Sequence, residues 1–579
     1  MAPAVTVRAH AAQAAPRGPA KPRHALIPRR TIHPKPQLAN AIAIPRRPAS
    51  VSTPAAGLVV NVNAGGLAAA DEGGCCTPPD STGSIGPGHY VEMVNGLVRV
   101  SDRLLQQVSQ ATLDSFMGAP GDSLSDPQIE WDQQGGRWLY AALDPTNLGI
   151  AVGWSKTPDP SDLVGGWCRF AISTGAEFHD FPKLGHDDNF LSIGTNVFVG
   201  NNFNTFITAT IWAVPKPAVG ATTCPSAPVA SRFGTAASPL LNADHTPAFT
   251  PVPADTSDSS AAGYILAARS NLVASTKIMV WHLHSNAGTP TLVADGDATV
   301  SAYIFPLNAP QAGGSGFLID TSDARLTQAV AHADPGAGGL EAIWTQHAVA
   351  ANPDGSGNSV VRWYEIVPGA GTPVRQEGTV ADPDNYLFNA AISPTTAGDE
   401  AVINYSVSGT ATYPTIKAQS RIGTTPGGTM GGEVTLAAST VADTDFSCLS
   451  SPCRWGDYPA ASPDPRDRDA VWGTNMLTGT GGTGSSAGWA TSNFGISLRP
   501  PAAQSAPATG PQRVAANQAP PVGPAPRQLP AIAPAASSGS GMPNTKNLVG
   551  STKPGLDPLA SAGGALGSRL APGLTLSAG

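Results

Sequence analysis

Between residues 79 and 478 short apolar runs alternate with polar turns rich in Asp, Gly and Pro, and one phrase recurs. HDFPKLGHDDNFLSIGTN (179–196) and RWGDYPAASPDPRDRDAVWGTN (454–475) each carry an acid, an aromatic, a proline, a short apolar run, an acidic turn, and a second apolar run ending in Thr-Asn. Further copies begin near Pro79, Asp126, Pro247, Arg325 and Tyr386. Strand, tight turn, strand is the pattern of a β-hairpin. The copies start about 45 to 80 residues apart, room for one multi-strand unit each, which is the period of a propeller blade. Residues 149–154, WCRFAI (167–172), 277–284 and 360–367 supply outer strands.

A twisted hairpin buries its faces by stacking on the next one, and a closed ring leaves few free edges. The predicted fold is therefore all-β, a six- or seven-bladed β-propeller of four-stranded antiparallel blades flanked by disordered termini. Closure demands one blade built from both ends of the domain. LVVNV (58–62) and WATSNFGISL (489–498) are the strands available for it.

Composition sets the boundaries. Gly 64, Pro 56 and a charged fraction of 13% leave little scope for long helices, while 41% hydrophobic residues suffice for a core. Residues 1–55 form a basic, Pro- and Ala-rich arm without acids, 56–499 the propeller, and 500–579 a Pro/Ala/Gly/Ser-rich tail. Neither end buries enough apolar surface to offset its ordering entropy. The charges of the arm are dispersed and lack interleaved aromatics, so nucleic acid is not an expected partner. No apolar run is long enough to span a membrane. The apolar stretch 41–44 is also too short for a secretion signal. Six cysteines nevertheless suit an oxidising compartment, so a secreted, cell-surface or periplasmic monomer is expected. Six cysteines allow 15 pairings; Cys448 and Cys453 could close a local bridge and Cys168 could pair with Cys224, whereas the neighbours Cys75 and Cys76 would be strained as a pair.

TPPDSTGSIGPGHYVEMVNG, SDPQIEWDQQGGRWL, HDFPKLGHDDN and RWGDYPAASPDP together resemble uncharacterised bacterial exported proteins whose chains are similar to sialidase-like propellers. The resemblance spans Thr77 to Leu498 and speaks to fold; it implies no particular activity. The Ser-x-Asp-x-Gly-x-Thr-Trp boxes of sialidase blades are missing, and SKTPDPSDLVGGW departs from them.

In a propeller the residues just before each first strand converge on one face. Here they include Asp80, Asp126, Asp180, Asp323, Arg325, Asp384, Arg454 and Asp457, with Tyr386 and Tyr458 alongside. Carboxylates gathered there must share protons, bind a cation or pair with the arginines. Asp126, Asp180, Arg325, Arg454, Asp457 and Tyr458 are the candidate ligand-binding set. Turn-holding is the competing role, since Asp before Pro opens turns. Asp132, Asp187, Asp188, Asp464 and Asp467 fall in hairpin turns and read as structural.

Other motifs carry less. GSSAG (484–488) lacks the strand-to-helix elbow of a serine hydrolase. NPDGSGN (352–358) lacks the closing Glu of a calcium loop and reads as a hairpin tip. His282 and His284 share a strand face without a third zinc ligand nearby. No cofactor is expected; a structural calcium ion is the one addition the acids would admit.

Three functional readings follow: a non-catalytic extracellular propeller binding a glycan or protein at its channel face; a glycoside hydrolase, sialidase-like or other, using two channel-mouth carboxyls; and a structural spacer or display domain. In a sialidase-like enzyme Arg325, Arg454, Tyr458 and Asp126 would imitate an arginine cluster with a tyrosine nucleophile.

Overall fold

The computed structural model describes residues 57–499 apart from short internal breaks, together with strands Ala4–Ala9 and Ala25–Leu26. Seven four-stranded antiparallel ladders, numbered as blades in order of their first strands, make up the domain. Blade 1 is Thr82–Ile85, His89–Val94, Leu97–Asp102 and Gln107–Thr112. Blade 2 is Ser125–Asp132, Arg137–Asp144, Gly149–Ser155 and Trp167–Ser173. Blade 3 is Phe178–His186, Phe190–Val199, Thr205–Pro215 and Val229–Phe233. Blade 4 is Val252–Pro253, Ala262–Ala268, Ser275–Asn286 and Thr289–Tyr303. Blade 5 is Gln328–Asp334, Leu340–Ala350, Ser359–Ile366 and Val374–Val380. Blade 6 is Tyr386–Pro394, Ala401–Gly409, Thr412–Arg421 and Gly431–Ala438. Blade 7 is Ala460–Pro463, Ala470–Thr478, Trp489–Arg499 and, from the other end of the domain, Gly57–Ala68.

Four blades stand as separate sheets. Blades 2, 3 and 5 are joined edge to edge into one fourteen-stranded sheet by Asp255–Thr256 and Ala4–Ala9, so five large sheets hold seven blades. Each first strand touches the first strands of the blades on either side, and that of blade 7 returns to blade 1, closing a ring around one channel. All seven hairpins expected from the recurring phrase form the first two strands of a blade.

The closure strand pairs as the pattern predicts: Leu58 lies opposite Leu498, Val59 opposite Ser497 and Val60 opposite Ile496. Apolar clusters fill the spaces between blades. Trp131, Trp138 and Tyr140 meet Val91, Val98 and Phe116 between blades 1 and 2. Trp344 and Trp363 meet Ile392, Ile403 and Tyr405 between blades 5 and 6. Each fully buried side chain of this size contributes about 1.5–3 kcal/mol, so the ring is held by blade-on-blade packing.

Within the N-terminal segment expected to lack order, Ala4–Ala9 pairs antiparallel with the outer strands of both blade 2 and blade 3, and Ala25–Leu26 pairs with Cys76–Thr77. Composition carries no signal for this, because free sheet edges accept any extended backbone. The Cys168–Cys224 and Cys448–Cys453 bridges are formed, and Cys76 is also disulfide-bonded. Cys75 and most of the 484–488 glycine run lie outside the described residues. Among the described residues no helix is long and apolar enough to cross a membrane.

Candidate functional site in the propeller channel

The chain enters each first strand at what is here called the upper face and leaves it at the lower face. On the upper side a left-handed residue recurs near the start of the first strand: Asp80 (φ 48°), Asp126 (φ 54°), Phe181 (φ 58°), Thr250 (φ 50°), Ala324 (φ 63°) and Asn389 (φ 46°). Asp and Asn tolerate this region; for Phe and Thr it is strained and needs support from neighbours. Amides on second strands, or just past them, provide support at several of these corners. Asn95 Oδ1 accepts from the Asp126 N–H at 2.7 Å, and Asn196 Oδ1 from the Thr250 N–H at 2.6 Å. Asn475 Nδ2 donates to Asn389 O at 2.8 Å. The Thr-Asn ending of the recurring phrase is therefore a bracket that pins the first strand of a neighbouring blade.

These corners bring most of the sequence-predicted set together. Tyr458 Oη donates to Asp126 Oδ2 at 2.5 Å, the Asp457 N–H donates to Asp80 Oδ1 at 2.9 Å, and Asn95 Nδ2 donates to Asp80 Oδ2 at 2.7 Å. Arg454 spans Asp457 at 2.8 Å and Asp320 at 3.0 Å. Arg325 binds both oxygens of Asp323 at 2.6 Å, and its guanidinium lies 4.4 Å from the centre of the Phe181 ring. Lys183 sits 3.7 Å from the centre of the Tyr458 ring and donates to Asp457 O at 3.2 Å. Asp180 is buried beside Asp126. Asp384 lies apart, in an exposed turn where its N–H bonds Asp382, and Tyr386 packs into an apolar cluster with Phe388 and Trp455.

The cluster is sealed. Asp126 is 5% exposed, Asp457 4%, Asp180 2%, Arg325 2% and Tyr458 1%. Two connections, 304–327 and 439–459, supply Asp320, Asp323, Arg325, Arg454, Asp457 and Tyr458 and are stitched to each other: Cys453 N–H to Leu318 O at 2.7 Å, Asp320 N–H to Cys453 O at 3.0 Å, and Asp443 N–H to Gln311 Oε1 at 2.6 Å. Burial, then repulsion from Asp126 and Asp457, holds the Asp80 carboxyl well above its usual range. Burial followed by the Asp180 charge pushes Asp126 up to about 7, and burial pulls Lys183 down to about 7. The acids are thus bonded across blades 7, 1 and 2, and act on the upper face as a polar lock. Arg454→Ala removes the cation between Asp320 and Asp457. It is expected to cost about 3–5 kcal/mol in urea unfolding, the penalty of breaking a buried pair from one side. A loss under about 1 kcal/mol, the range of exposed pairs, would show that solvent screens these charges.

The lower ends of the first strands of blades 2 and 3, with the strand Asp255–Thr256 beside them, make a second cluster, which sequence reasoning missed. His186 Nδ1 lies 3.2 Å from Glu130 Oε2 and 3.5 Å from Asp255 Oδ1, and its Nε2 lies 3.7 Å from Asp132 Oδ1. Lys216 pairs with Asp132 Oδ2 at 2.7 Å and donates to Asp187 O at 2.7 Å. Burial first, then like charge, raises Glu130 well above its usual value and Asp255 to about 7; burial lowers His186 to about 3. Asp132 also caps its turn by accepting from Gly135 N–H at 2.8 Å, so the turn role expected for it is joined by a second one. Asp187 accepts from the N–H groups of Asn189 and Phe190, and Asp464 from that of Arg466, as turn residues do. The signal for the second cluster was position: Glu130 and His186 stand near the ends of first strands, and Asp255 two residues past the end of the next one.

Below this cluster a cavity of about 230 Å³ opens on the lower face, lined among others by Trp131, Gln133, Gln134, Asp258, His332 and Thr396. A smaller one of about 20 Å³ lies farther up the channel between Lys183, Glu130, Asp255 and Gln128. Asp258 Oδ2 accepts from Ala333 N–H at 2.8 Å, while its buried Oδ1 has no hydrogen-bond partner. Away from the channel, His282 is engaged by Asp295 at 2.8 Å, and Asp354 accepts from Ser356 N–H at 2.9 Å within the 352–358 hairpin tip.

No family model and no curated protein matches the chain. Solved structures similar to it include the hemagglutinin-neuraminidase ectodomain of parainfluenza virus 5, 9% identical, covering 70% of this chain and 83% of that one with a TM-score of 0.33. The endo-arabinase of Bacteroides thetaiotaomicron is 12% identical, covering 55% and 95% with a TM-score of 0.25. An exo-β-1,3-galactanase of Phanerochaete chrysosporium is 11% identical, covering 62% and 80% with a TM-score of 0.26. The fold of this chain stands on its own strand ladders.

Proposed function

We propose that this protein is a secreted or cell-surface propeller that binds a neutral glycan in the lower-face cavity without cleaving it. The observation that carries the reading is the lining of that cavity. Gln133, Gln134, Ser257, Thr396 and Asp258 offer amide, hydroxyl and carboxylate partners for sugar hydroxyls, while Trp131, Pro463 and Pro465 offer flat apolar walls. Apolar walls with a few placed polar groups are the usual make-up of a small-ligand site. At about 230 Å³ the cavity is below the roughly 300–1,000 Å³ typical of drug-sized ligands, which suits a terminal sugar better than a protein loop. His332 supplies the basic side chain of the lining, so a ligand carboxylate would find no arginine there. Arg325 and Arg454 are committed to carboxylates at the other end of the channel. The tyrosine and acid that a sialidase-like mechanism would recruit, Tyr458 and Asp126, are bonded to each other out of reach of solvent. Disulfides fit an oxidising compartment.

A glycan array probed with the full chain is expected to show neutral oligosaccharide ligands. For the best of these, Gln134→Ala and Asp258→Asn should each weaken binding by about tenfold, the worth of one lost hydrogen bond near 1.4 kcal/mol. Asp126→Asn should leave affinity unchanged. No ligand on the array, or equal affinity in all variants, sinks the reading.

A further inference from the structure

We infer that the lower half of the channel is a site for one divalent metal ion, held by Glu130, His186 and Asp255, and that zinc is the ion its chemistry suits. Asp255 also lines the lower-face cavity, but neither the metal site nor its test depends on the glycan reading. Glu130 and His186 come from the first strands of blades 2 and 3 and Asp255 from the strand Asp255–Thr256 that follows blade 4's first strand, and the three donor atoms lie within 4.8 Å of one another. Rigid strands are the better platform for such a set, because they hold donors in place before the ion arrives.

Three observations point to an ion over a mere knot of acids. First, polar atoms are left over: Asp255 Oδ1 and His186 Nε2 lack hydrogen-bond partners although the residues are 3% and 2% exposed. Buried polar atoms without partners are rare and call for an occupant. Second, two acids share one imidazole. Lys216 is bonded to Asp132, and the carboxyl groups of Glu130 and Asp255 both face His186. Two carboxyl groups in so dry a place either hold protons or take a cation, and a bound ion would displace the protons. Third, the histidine is oriented as ligands are. Nδ1 faces Glu130 and Asp255, while Nε2 faces the Asp132 carboxylate at 3.7 Å. Asp132 thus stands on the side of the ring where carboxylate–histidine–metal sites place their outer acid, without a hydrogen bond to Nε2 at this distance. Glu130 and Asp255 also border the cavity of about 20 Å³, just above the 10–15 Å³ or so that one water-sized occupant needs.

One imidazole nitrogen with two carboxylate oxygens suits a borderline ion such as Zn²⁺; calcium and magnesium prefer oxygen throughout. The test uses the full chain, stripped with EDTA, dialysed, and titrated calorimetrically with zinc chloride. One equivalent is expected to bind and to raise the melting temperature. His186→Gln and Asp255→Asn should weaken zinc at least 100-fold, and Asp132→Asn about tenfold or more, as outer-shell changes do. His282→Ala, which removes the surface histidine pair, should change nothing. Calcium chloride should bind at least tenfold more weakly than zinc. Because removing a buried acid can preserve or raise stability, Asp255→Asn and Glu130→Gln keep the test open if His186→Gln does not fold. Absence of zinc binding by the unaltered chain, undiminished binding by folded His186→Gln or Asp255→Asn, or loss of binding in His282→Ala overturns the proposal.

Discussion

A chain beginning at Ala69 is expected to show no cooperative thermal transition, whereas one beginning at Gly57 should melt as a folded domain. The difference between them is one strand. Gly57–Ala68 forms the outer edge of blade 7 and pairs with Trp489–Arg499 along nearly its whole length. It also seats Leu67, fully buried, whose N–H meets the Glu92 carboxyl of blade 1. Glu92 is anchored in turn by Asn493 at 2.8 Å and by Thr491. Removing the strand therefore breaks the joint between blades 7 and 1 and leaves a buried acid short of partners. A domain is stable by only about 5–15 kcal/mol, and losing a whole ladder with its packed side chains approaches that total. Circular dichroism melting of both chains decides the matter. A cooperative melt for the shorter chain within a few degrees of the longer would show that the ring does not depend on its closure.

The second large effect is a pH dependence at Asp126. Asp126→Asn should match the wild type in stability near pH 4 and exceed it progressively up to about pH 7. The sign follows from the protons bound. Burial and Asp180 raise the folded-state pKa to about 7, from an ordinary 3.8, so between those values the native state holds a proton that the unfolded chain has given up. Stability from this group is fully present below about pH 4 and lost as pH rises through 7; the difference is worth roughly 4 kcal/mol at the upper end. Asn keeps the acceptor that Tyr458 needs and carries no charge at any pH. The comparison must be made between the two proteins, since buried His186 and His347, both lowered to about 3, give the wild type an opposite trend in acid. Urea unfolding at pH 4.5, 6 and 8 measures the gap. A constant gap would mean that Asp126 is ionised in the native state throughout.

Much of this architecture was written in the apolar pattern. The seven hairpins and the closing pair 58–62 with 489–498 are readable because each rests on local alternation or on a demand of ring closure, whereas the disulfide pairing became definite only in the structure. The number of blades was harder, since Val252–Pro253 is a first strand of only two residues, interrupted before Asp255–Thr256 and easily overlooked. Convergence of the upper corners was also legible, because Asp126, Asp180, Arg325, Arg454, Asp457 and Tyr458 occupy matching places in the repeat. Their burial was not, nor was the docking of the 304–327 and 439–459 connections on each other through Leu318, Asp320 and Cys453, which has no periodic signature. Glu130, His186 and Asp255 escaped notice for a related reason. Near the ends of short strands they look like ordinary alternation, and only the stacking of three blades places them together.

The central claim is that ligands meet this propeller at the lower face while the upper acids lock the ring. The most direct measurement is a crystal structure of the protein soaked with the best oligosaccharide from the array. Sugar density against Trp131, Gln134 and Asp258 is the predicted result. Density instead beside Asp126, Asp457 and Tyr458, with the 304–327 and 439–459 connections displaced, would contradict it.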